Sequence, residues 1–275
     1  MRSKYAYLIA ALSVSFLLGA CSDQTKETQT EEDQPAQTQG NQAEKASDVH
    51  WSYKEGETGP DQWGKLDASY AACMNGSEQS PVNIEFSQVK TSERSGNIET
   101  HYAPGSFSVV HNGHTIQVNA EGTDNRMTVE ESEYNLVQLH FHTPSEHQFN
   151  GRHLDMELHL VHQNANGELA VLGVMIREGK ENENLASVWE KLPKEETENG
   201  ISVKELDLHT LLPENQASFY YNGSLTTPPC TEEVKWIVLE QPIEMSKEQI
   251  QAFQQIFPDN HRPVQSLNER EIMKN

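Results

Sequence analysis

Short runs in which apolar and polar residues alternate recur along most of the chain. Seven of them lie between residues 106 and 239, namely SFSVVHN, HTIQVNA, YNLVQLHFH, DMELHLVHQ, LAVLGVMI, ASFYYNG and EVKWIVL. Gly, Asn and Pro punctuate the segments between them, as expected for turns. A period of two is typical of strands with one buried face. The pattern therefore predicts a mainly β domain built from many short strands.

Helical patterns are confined to two segments. ENLASVWEKL, residues 183–192, has room for two or three turns before Pro193. In SKEQIQAFQQIF, residues 246–257, Ser246 and Gln249 stand in capping-box register, and one helix face would carry Ile250, Phe253 and Ile256. We therefore expect a few short helices at the surface of the sheet.

The N-terminus has the pattern of a targeting segment. Arg2 and Lys4 precede the apolar run YLIAALSVSFLLGA, which is too short for a comfortable membrane span and suits a signal peptide. The run ends in LGAC, which resembles a bacterial lipobox, in which the cysteine, here Cys21, is lipidated and becomes the first mature residue. The alternative is an ordinary signal peptide with a chance cysteine. Residues 1–20 are accordingly interpreted as a lipoprotein signal peptide.

A polar segment follows the predicted lipid site. Residues 22–48 contain no aromatic or large aliphatic side chain. Such a segment cannot bury enough apolar surface to offset the entropy of ordering it. We therefore predict that residues 21–48 are a lipidated cysteine plus a disordered acidic tether, and that residues 49–275 form a single folded domain.

Charge and cysteine content narrow the possible partners and compartment. The formal net charge of −22 argues against a nucleic-acid partner, which would require basic patches. With Cys21 assigned to the lipid, Cys73 and Cys230 remain. Two cysteines in an exported domain suggest a disulfide, with two unpaired buried thiols as the alternative.

Imidazole side chains are concentrated in LHFHTPSEH, residues 139–147. With a period of two, Gln138, His140 and His142 share one strand face, while Val137, Leu139 and Phe141 point into an apolar core. One apolar face and one imidazole face would suit a strand that lines a cavity. A His-x-His pair alone, however, is also common on polar strand surfaces.

A second strand repeats this pattern. In DMELHLVHQ, Glu157, His159 and Val161 share a face, with Met156, Leu158, Leu160 and His162 on the other. If the two strands are neighbours, His159 completes a site of three histidines with an open fourth position, as in catalytic zinc sites. Gln138 and Glu157 lie where they could orient the ligand rings.

Several motifs together resemble the α-class carbonic anhydrases, in particular the bacterial exported, lipoprotein-type members. The resemblance covers Val49 to Glu271 and rests on HWSY, GPDQW, QSPVNI, HNGH, QLHFHTPSEH, ELHLVH, GSLTTPP, VKWIVL and NHRPVQSLNER, in that order. It implies a single domain on a large twisted, mostly antiparallel sheet with short surface helices. It also implies reversible hydration of CO2 to bicarbonate and a proton by a zinc-bound hydroxide.

The same resemblance implies a role for individual residues. The zinc ligands would be His140, His142 and His159. Thr226 would accept a hydrogen bond from the hydroxide and pass its own hydroxyl proton to Glu146 in a hydrogen bond. His114, the second histidine of HNGH, would be the proton shuttle.

Other matched positions would surround these residues. Gln138, Glu157 and the carbonyl of Asn260 would support the ligands, and Thr227 would lie beside the substrate. The apolar wall for CO2 would comprise Val161, Val171, Leu225, Val234 and Trp236, and water would be ordered by Tyr53, Asn112 and Gln117. No metal role is implied for His111, His147 or His162, which we interpret as structural or solvated.

Two other functional classes compete with this hypothesis. A cupin-type metal enzyme would use Glu146 as a ligand, but the glycine expected upstream falls at Tyr134 and a second cupin motif is not found. A non-enzymatic zinc-binding lipoprotein would have no need of Thr226 or Glu146. The sequence makes no prediction of oligomeric state, and the expected partners are CO2, bicarbonate and, through Cys21, a membrane.

Overall fold

Strands dominate the computed structural model, which describes residues 49–91, 98–122 and 125–275. The strands are β1 Asn83–Ile84, β2 Lys90–Thr91, β3 Glu99–His101, β4 Gly105–His111, β5 Ile116–Ala120, β6 Arg126–Val129, β7 Ser132–His142, β8 Gln148–Phe149, β9 Met156–Gln163, β10 Leu169–Glu178, β11 Ile201–Leu206, β12 Ser218–Gly223, β13 Val234–Met245 and β14 Met273–Lys274. Each of the seven alternating runs overlaps one of these strands, which confirms the prediction of a mainly β domain.

The α-helices are short. They are α1 Trp63–Leu66, α2 Ala72–Asn75, α3 Ala186–Trp189 and α4 Lys247–Gln254, with 3-10 turns at Pro60–Gln62, Ala68–Tyr70, Glu183–Leu185 and Leu208–Leu211. The predicted capping box is present: the Ser246 hydroxyl accepts from the Gln249 backbone N–H, and the Gln249 side chain accepts from the Ser246 N–H. Both predicted helical segments are therefore confirmed.

One large mixed sheet forms the scaffold. Its strand order is β11-β4-β5-β7-β9-β10-β13-β12-β14-β2, with β6 pairing with β7 and β3 pairing with β6. Most neighbours are antiparallel, whereas β10 with β13 and β14 with β2 are parallel. The predicted fold class is confirmed, and the central strands β7 and β9 are paired as the metal hypothesis requires.

Both faces of the central sheet are buried. On one face Leu139, Phe141 and Leu158 join a large core that also contains Phe253 of α4. On the other face Val161 lies in a second apolar cluster. Strand β9 is buried at every position except its last, so each of its polar side chains needs a partner within the protein.

A β-bulge corrects one detail of the sequence interpretation. Val137 is 46% exposed, and Leu136 is buried in the core instead. The register between β7 and β9 shifts between Leu136 and Gln138, so strict alternation ends there. The prediction that Val137 points into the core was wrong, whereas Leu139 and Phe141 are buried as expected.

A disulfide joins Cys73 of α2 to Cys230, across 157 residues of chain. This feature confirms the predicted pairing over the alternative of two unpaired thiols. In the chain-entropy description, a loop of this length stabilises the folded state by about 5 kcal/mol.

The predictions for the N-terminal segment concern residues that lie outside the described part of the chain. They include the signal peptide, residues 1–20, and Cys21 with the tether, residues 21–48. The boundary of the catalytic domain at residue 49 likewise stays a prediction. Among the described residues, no helix is long and apolar enough to cross a membrane.

Candidate metal centre

Three histidines from two neighbouring strands converge on one point. In the antiparallel pairing of β7 with β9, His140 lies directly opposite His159, and His142 is two residues further along β7. One ring nitrogen from each histidine lies within 4.8 Å of the others. The alternation within each strand and the register between the strands together produce this convergence.

The outward-facing ring nitrogens are all hydrogen-bonded. His140 Nδ1 lies 2.8 Å from Gln138 Oε1, and His142 Nδ1 lies 2.7 Å from the Asn260 carbonyl. His159 Nε2 lies 2.9 Å from Glu157 Oε1. Because each partner is an acceptor, these nitrogens carry the ring protons. The lone pairs are therefore on His140 Nε2, His142 Nε2 and His159 Nδ1.

Burial keeps these rings neutral. It lowers the pKa of His142 to about 4 and also lowers the pKa values of His140 and His159. Within the described part of the chain, the buried His142 Nε2 has no hydrogen-bond partner. Three neutral imidazoles with converging lone pairs fit a zinc ion, which neutral nitrogen ligands and a tetrahedral site suit.

Glu157 holds His159 as part of a longer hydrogen-bonded chain. His147 Nδ1 donates to Glu157 Oε1 at 2.7 Å, and the Glu157 Oε2 atom accepts from the His147 backbone N–H at 2.8 Å. His147 Nε2 then accepts from the Tyr221 hydroxyl at 2.6 Å, and Tyr221 contacts the Ser80 hydroxyl at 2.8 Å. Burial alone raises the pKa of Glu157, but His147 and His159 hold it well below its ordinary value.

Sequence reasoning left His147 without a specific task. The structure places it behind the carboxylate that orients a predicted ligand, so its buried role is to fix that carboxylate. Its position in SEH gives no signal of this contact, because the strand that carries Glu157 follows after a turn.

Gly173 of β10 makes room for this arrangement. It lies opposite His159 in the ladder, and a Cβ at this position would lie 3.1 Å from Glu157 Oε1. That approach is closer than most side-chain contacts, so a larger residue would press on the carboxylate that orients His159.

Glu146 lies beside the three histidines. Its Oε1 accepts from the Arg262 backbone N–H at 2.8 Å, and its Oε2 lies 3.4 Å from His142 Nε2. Burial raises its pKa, while His159, the Arg262 N–H and the Thr226 hydroxyl act to lower it. Among the described residues Oε2 has no partner within ordinary hydrogen-bond geometry, so Thr226 approaches the carboxyl without a full hydrogen bond.

The Arg262 side chain, which the sequence analysis did not single out, is fully buried. Its guanidinium donates to Gln79 Oε1 at 2.9 Å, to the Ser80 carbonyl at 2.8 Å and to the Cys73 carbonyl at 3.0 Å. Arg262 therefore connects the segment that carries the disulfide with the backbone amide that binds Glu146.

The loop after β12 carries Thr226 and Thr227. The Leu225 N–H donates to the Thr231 carbonyl at 2.9 Å, and the Cys230 N–H donates to the Thr227 carbonyl at 2.8 Å. The disulfide at Cys230 anchors the end of this loop. Thr226 is buried beside Glu146, whereas Thr227 is half-buried.

The five residues predicted to form an apolar wall lie in one cluster. Val161, Val171, Val234 and Trp236 are buried there, and Leu225 packs against them. The Trp236 ring lies 4.9 Å from that of His159, centroid to centroid. The wall therefore adjoins the histidine cluster.

His114 lies in a turn after β4 and is half-buried. Its ring stacks on Trp51 with centroids 3.6 Å apart. Its backbone N–H donates to Asn112 Oδ1 at 3.0 Å, and its carbonyl accepts from Asn260 Nδ2 at 3.1 Å. Because the Asn260 carbonyl binds His142, one fully buried asparagine connects a predicted ligand with the backbone of the predicted shuttle.

The three residues predicted to order water lie between His114 and the three-histidine cluster. Tyr53 has its ring centroid 6.5 Å from both His114 and His142. Asn112 Nδ2 donates to Gln117 Oε1 at 3.1 Å, and Gln117 is paired with His140 across β5 and β7. Polar atoms therefore extend from the turn that carries His114 to strand β7.

The remaining histidines of interest are structural. His111 Nδ1 accepts from the Gly113 N–H at 3.1 Å. His162 is fully buried, with Nδ1 2.9 Å from the Leu160 carbonyl and Nε2 2.9 Å from the Tyr102 hydroxyl. Neither points into the metal cluster, as expected.

Comparison with known proteins decides the family. The model of eukaryotic-type carbonic anhydrases matches residues 58–275. The chain belongs to this family. Carbonic anhydrases of Klebsiella pneumoniae and Nostoc are 42% and 39% identical, over 82% and 84% of this chain and 91% and 88% of their own lengths. A solved α-carbonic anhydrase from Thermovibrio ammonificans, in complex with the inhibitor sulfanilamide, is 42% identical with a TM-score of 0.78, covering 82% of this chain and 99% of its own.

Family membership makes the chain an enzyme and assigns it to CO2 hydration. The cupin hypothesis is not supported by the comparisons.

Proposed function

We propose that the chain catalyses zinc-dependent, reversible hydration of CO2 at the three-histidine cluster. The observation that carries this proposal is the tautomer pattern. In each ring, the nitrogen that points away from the cluster is hydrogen-bonded to a fixed acceptor. The nitrogens that point into the cluster therefore offer three lone pairs to one cation. His140, His142 and His159 would hold the zinc ion.

Bound zinc supplies hydroxide at neutral pH, because it lowers the pKa of its water to about 7. The protein must orient that nucleophile. Glu146 would accept a hydrogen bond from the Thr226 hydroxyl, which would leave the Thr226 oxygen free to accept a hydrogen bond from the nucleophile. The backbone N–H of Arg262 donates to Glu146 Oε1 and would keep this carboxylate in position.

CO2 would bind at the apolar cluster beside the histidines. CO2 is small and apolar, so it can be held against Val161, Val171 and Trp236 by burial of surface rather than by directed polar contacts. Leu225 and Val234 complete this wall, and Thr227 would lie beside the bicarbonate product.

Each hydration also releases a proton that must reach the solvent. His114 is half-buried in the turn after β4; an imidazole has an ordinary pKa near neutral, which suits a proton relay, and burial lowers the pKa of His114 from that value. Tyr53, Asn112 and Gln117 would order the intervening water. We therefore propose His114 as the proton shuttle.

The decisive experiment is a CO2 hydration assay on protein loaded with zinc, on protein stripped by a chelator, and on stripped protein reloaded with zinc. We expect activity to follow the zinc content and to be inhibited by sulfanilamide, the ligand of the Thermovibrio relative. Zinc-loaded protein that is no faster than the uncatalysed reaction would refute the proposal. Iron content with oxygen-dependent turnover would favour a cupin-type activity instead, and zinc binding without turnover would favour the non-enzymatic alternative.

We further propose that the protein is exported and anchored by a lipid on Cys21. The lipobox-like LGAC supports this, as does the disulfide, since disulfides persist in oxidising compartments. Cys21→Ser should release the protein from cell membranes into the soluble fraction. Unchanged membrane association of the variant would argue against lipidation.

A further inference from the structure

The segment that follows α3 packs directly on the turn that carries His114. The Thr197 N–H donates to the His111 carbonyl at 3.1 Å, and the His111 N–H donates to the Thr197 hydroxyl oxygen at 3.0 Å. These two bonds attach the segment to the last residue of β4, just before the shuttle turn. The residue next to Thr197 is Glu196.

The Glu196 carboxylate lies over Gly113, the residue before His114. A Cβ at Gly113 would meet Glu196 Oε1 at 3.1 Å and Cδ at 3.4 Å, and the φ angle of Gly113 is +90°. Glycine therefore permits both the turn and the close approach of the carboxylate. No task in the mechanism above uses Glu196.

The charges of three neighbouring groups, Glu196, His50 and His111, act on the pKa of the His114 ring. Burial lowers the pKa of His114, and the charges of His50 and His111 lower it further, whereas Glu196 raises it. Glu196 is thus the acidic group that opposes the two neighbouring histidines. Trp51 and Tyr53 cover the ring without adding charge at neutral pH.

We propose that Glu196 is the counter-charge of the proton shuttle: its carboxylate stabilises protonated His114 and so sets the pH range in which the ring takes up and releases protons. Glu196 acts through His114 and is therefore a positioning residue. The inference rests on the proposed shuttle role of His114, but the pairing of the two groups can be measured independently of catalysis.

The direct test is an NMR titration of the His114 ring in the zinc-loaded protein. Opposite charges that lie farther apart than a direct ion pair, with water around them, shift a pKa by roughly half a unit. E196Q should lower the pKa of His114 by about that amount at low ionic strength, and the difference should shrink in high salt. E196D, which keeps the charge, should restore most of the shift.

Matched variants separate this effect from a change in overall charge. E195Q removes the same charge from the adjacent exposed position and should leave the His114 titration unchanged. H50Q removes a group whose charge lowers the pKa of His114, so this variant should raise that pKa. An E196Q titration equal to that of the unmodified protein, or to that of E195Q, would overturn the proposal.

Kinetics provide a second, separate readout. In weak buffer, the midpoint of the pH profile of kcat should move to lower pH in E196Q by the same amount as the NMR titration, with kcat/KM for CO2 unchanged. If kcat of H114A does not fall in weak buffer, His114 is not the shuttle, and the shift in the kcat profile expected for E196Q is no longer predicted. The NMR comparison of E196Q with E195Q still decides whether Glu196 is the counter-charge.

Discussion

Histidine is used in opposite ways at the metal cluster, the three histidines proposed to bind zinc, and at the shuttle turn, the turn after β4 that carries the proposed shuttle His114. At the metal cluster, the register between β7 and β9 positions His140, His142 and His159. The outward-facing nitrogen of each ring is hydrogen-bonded to a fixed acceptor. In the shuttle turn, His114 is fixed through its backbone, while its ring rests on Trp51. A metal requires neutral rings in fixed positions, whereas a proton relay requires a ring that can change charge near water.

The two regions are nevertheless connected through Asn260. Its carbonyl binds His142, and its side-chain amide donates to the carbonyls of His114 and Phe141. The turn that carries His114 is thereby attached to strand β7 through its backbone, and the His114 ring takes no part in these bonds. The following substitutions act on one region or the other.

The largest effect is expected at the metal cluster. His159→Ala removes a ligand, so we expect zinc affinity to fall by more than about a hundredfold and CO2 hydration to be nearly lost. Zinc content after dialysis and the hydration rate measure this. His162→Gln, on the same strand but on its other face, should keep its zinc. Full zinc occupancy with normal turnover in H159A would contradict the ligand assignment.

A smaller effect on zinc affinity is expected at Glu157, which orients the proposed ligand His159. Glu157→Ala removes the acceptor of both His159 and His147, so the ligand ring loses its fixed orientation. We expect zinc affinity to weaken about 10–100-fold, measured by competition with a chelator. Glu178→Ala, at the exposed end of β10, is the control and should bind zinc normally. Equal affinities would show that the hydrogen-bonded chain does not support the site.

The shuttle turn should respond in rate rather than in metal content. His114→Ala should lower kcat about tenfold or more in weak buffer, with zinc affinity unchanged, because proton export becomes limiting. Imidazole buffers should restore the rate. His101→Ala, at an exposed histidine of β3, serves as the control. Loss of rate that is the same in every buffer would indicate a different role for His114.

The last prediction concerns stability rather than zinc binding or rate, and it separates the buried His162 from the half-buried His114. Burial lowers the pKa of His162 from 6.5 to about 4, so between these pH values the unfolded chain binds the extra proton. The free energy of unfolding should therefore fall as pH drops from 6.5 to 4, by about 3 kcal/mol from this residue. Urea unfolding at several pH values measures the slope, which His162→Gln should reduce. An unchanged slope would contradict the buried neutral state.

Much of the candidate site could be predicted because it follows local periodicity. The alternation in β7 and β9 places Gln138 with His140 and Glu157 with His159 whatever the rest of the fold does. The resemblance to a known family added the residues that are distant in sequence, such as Thr226, Asn260 and His114. Their roles remain predictions, although the structure brings each of them close to the histidine cluster.

Other features were not predictable from local patterns. The exposure of Val137 results from a bulge, which depends on the partner strand and not on residues 136–138 alone. The contact of His147 with Glu157 crosses a turn, and the buried Arg262 connects segments nearly 190 residues apart. Each depends on which segments meet, and alternation carries no information on that.

The sequence by itself determined the mainly β character of the domain, the capped helix α4, and which side chains share a strand face, because these follow from backbone geometry over a few residues. The tertiary structure alone decided that His140 lies opposite His159, that His147 supports Glu157, and that Glu196 lies over Gly113. Those contacts depend on strand register and loop packing, which are set by burial of the whole core. The same core makes His162 a neutral buried group and leaves His114 within reach of water.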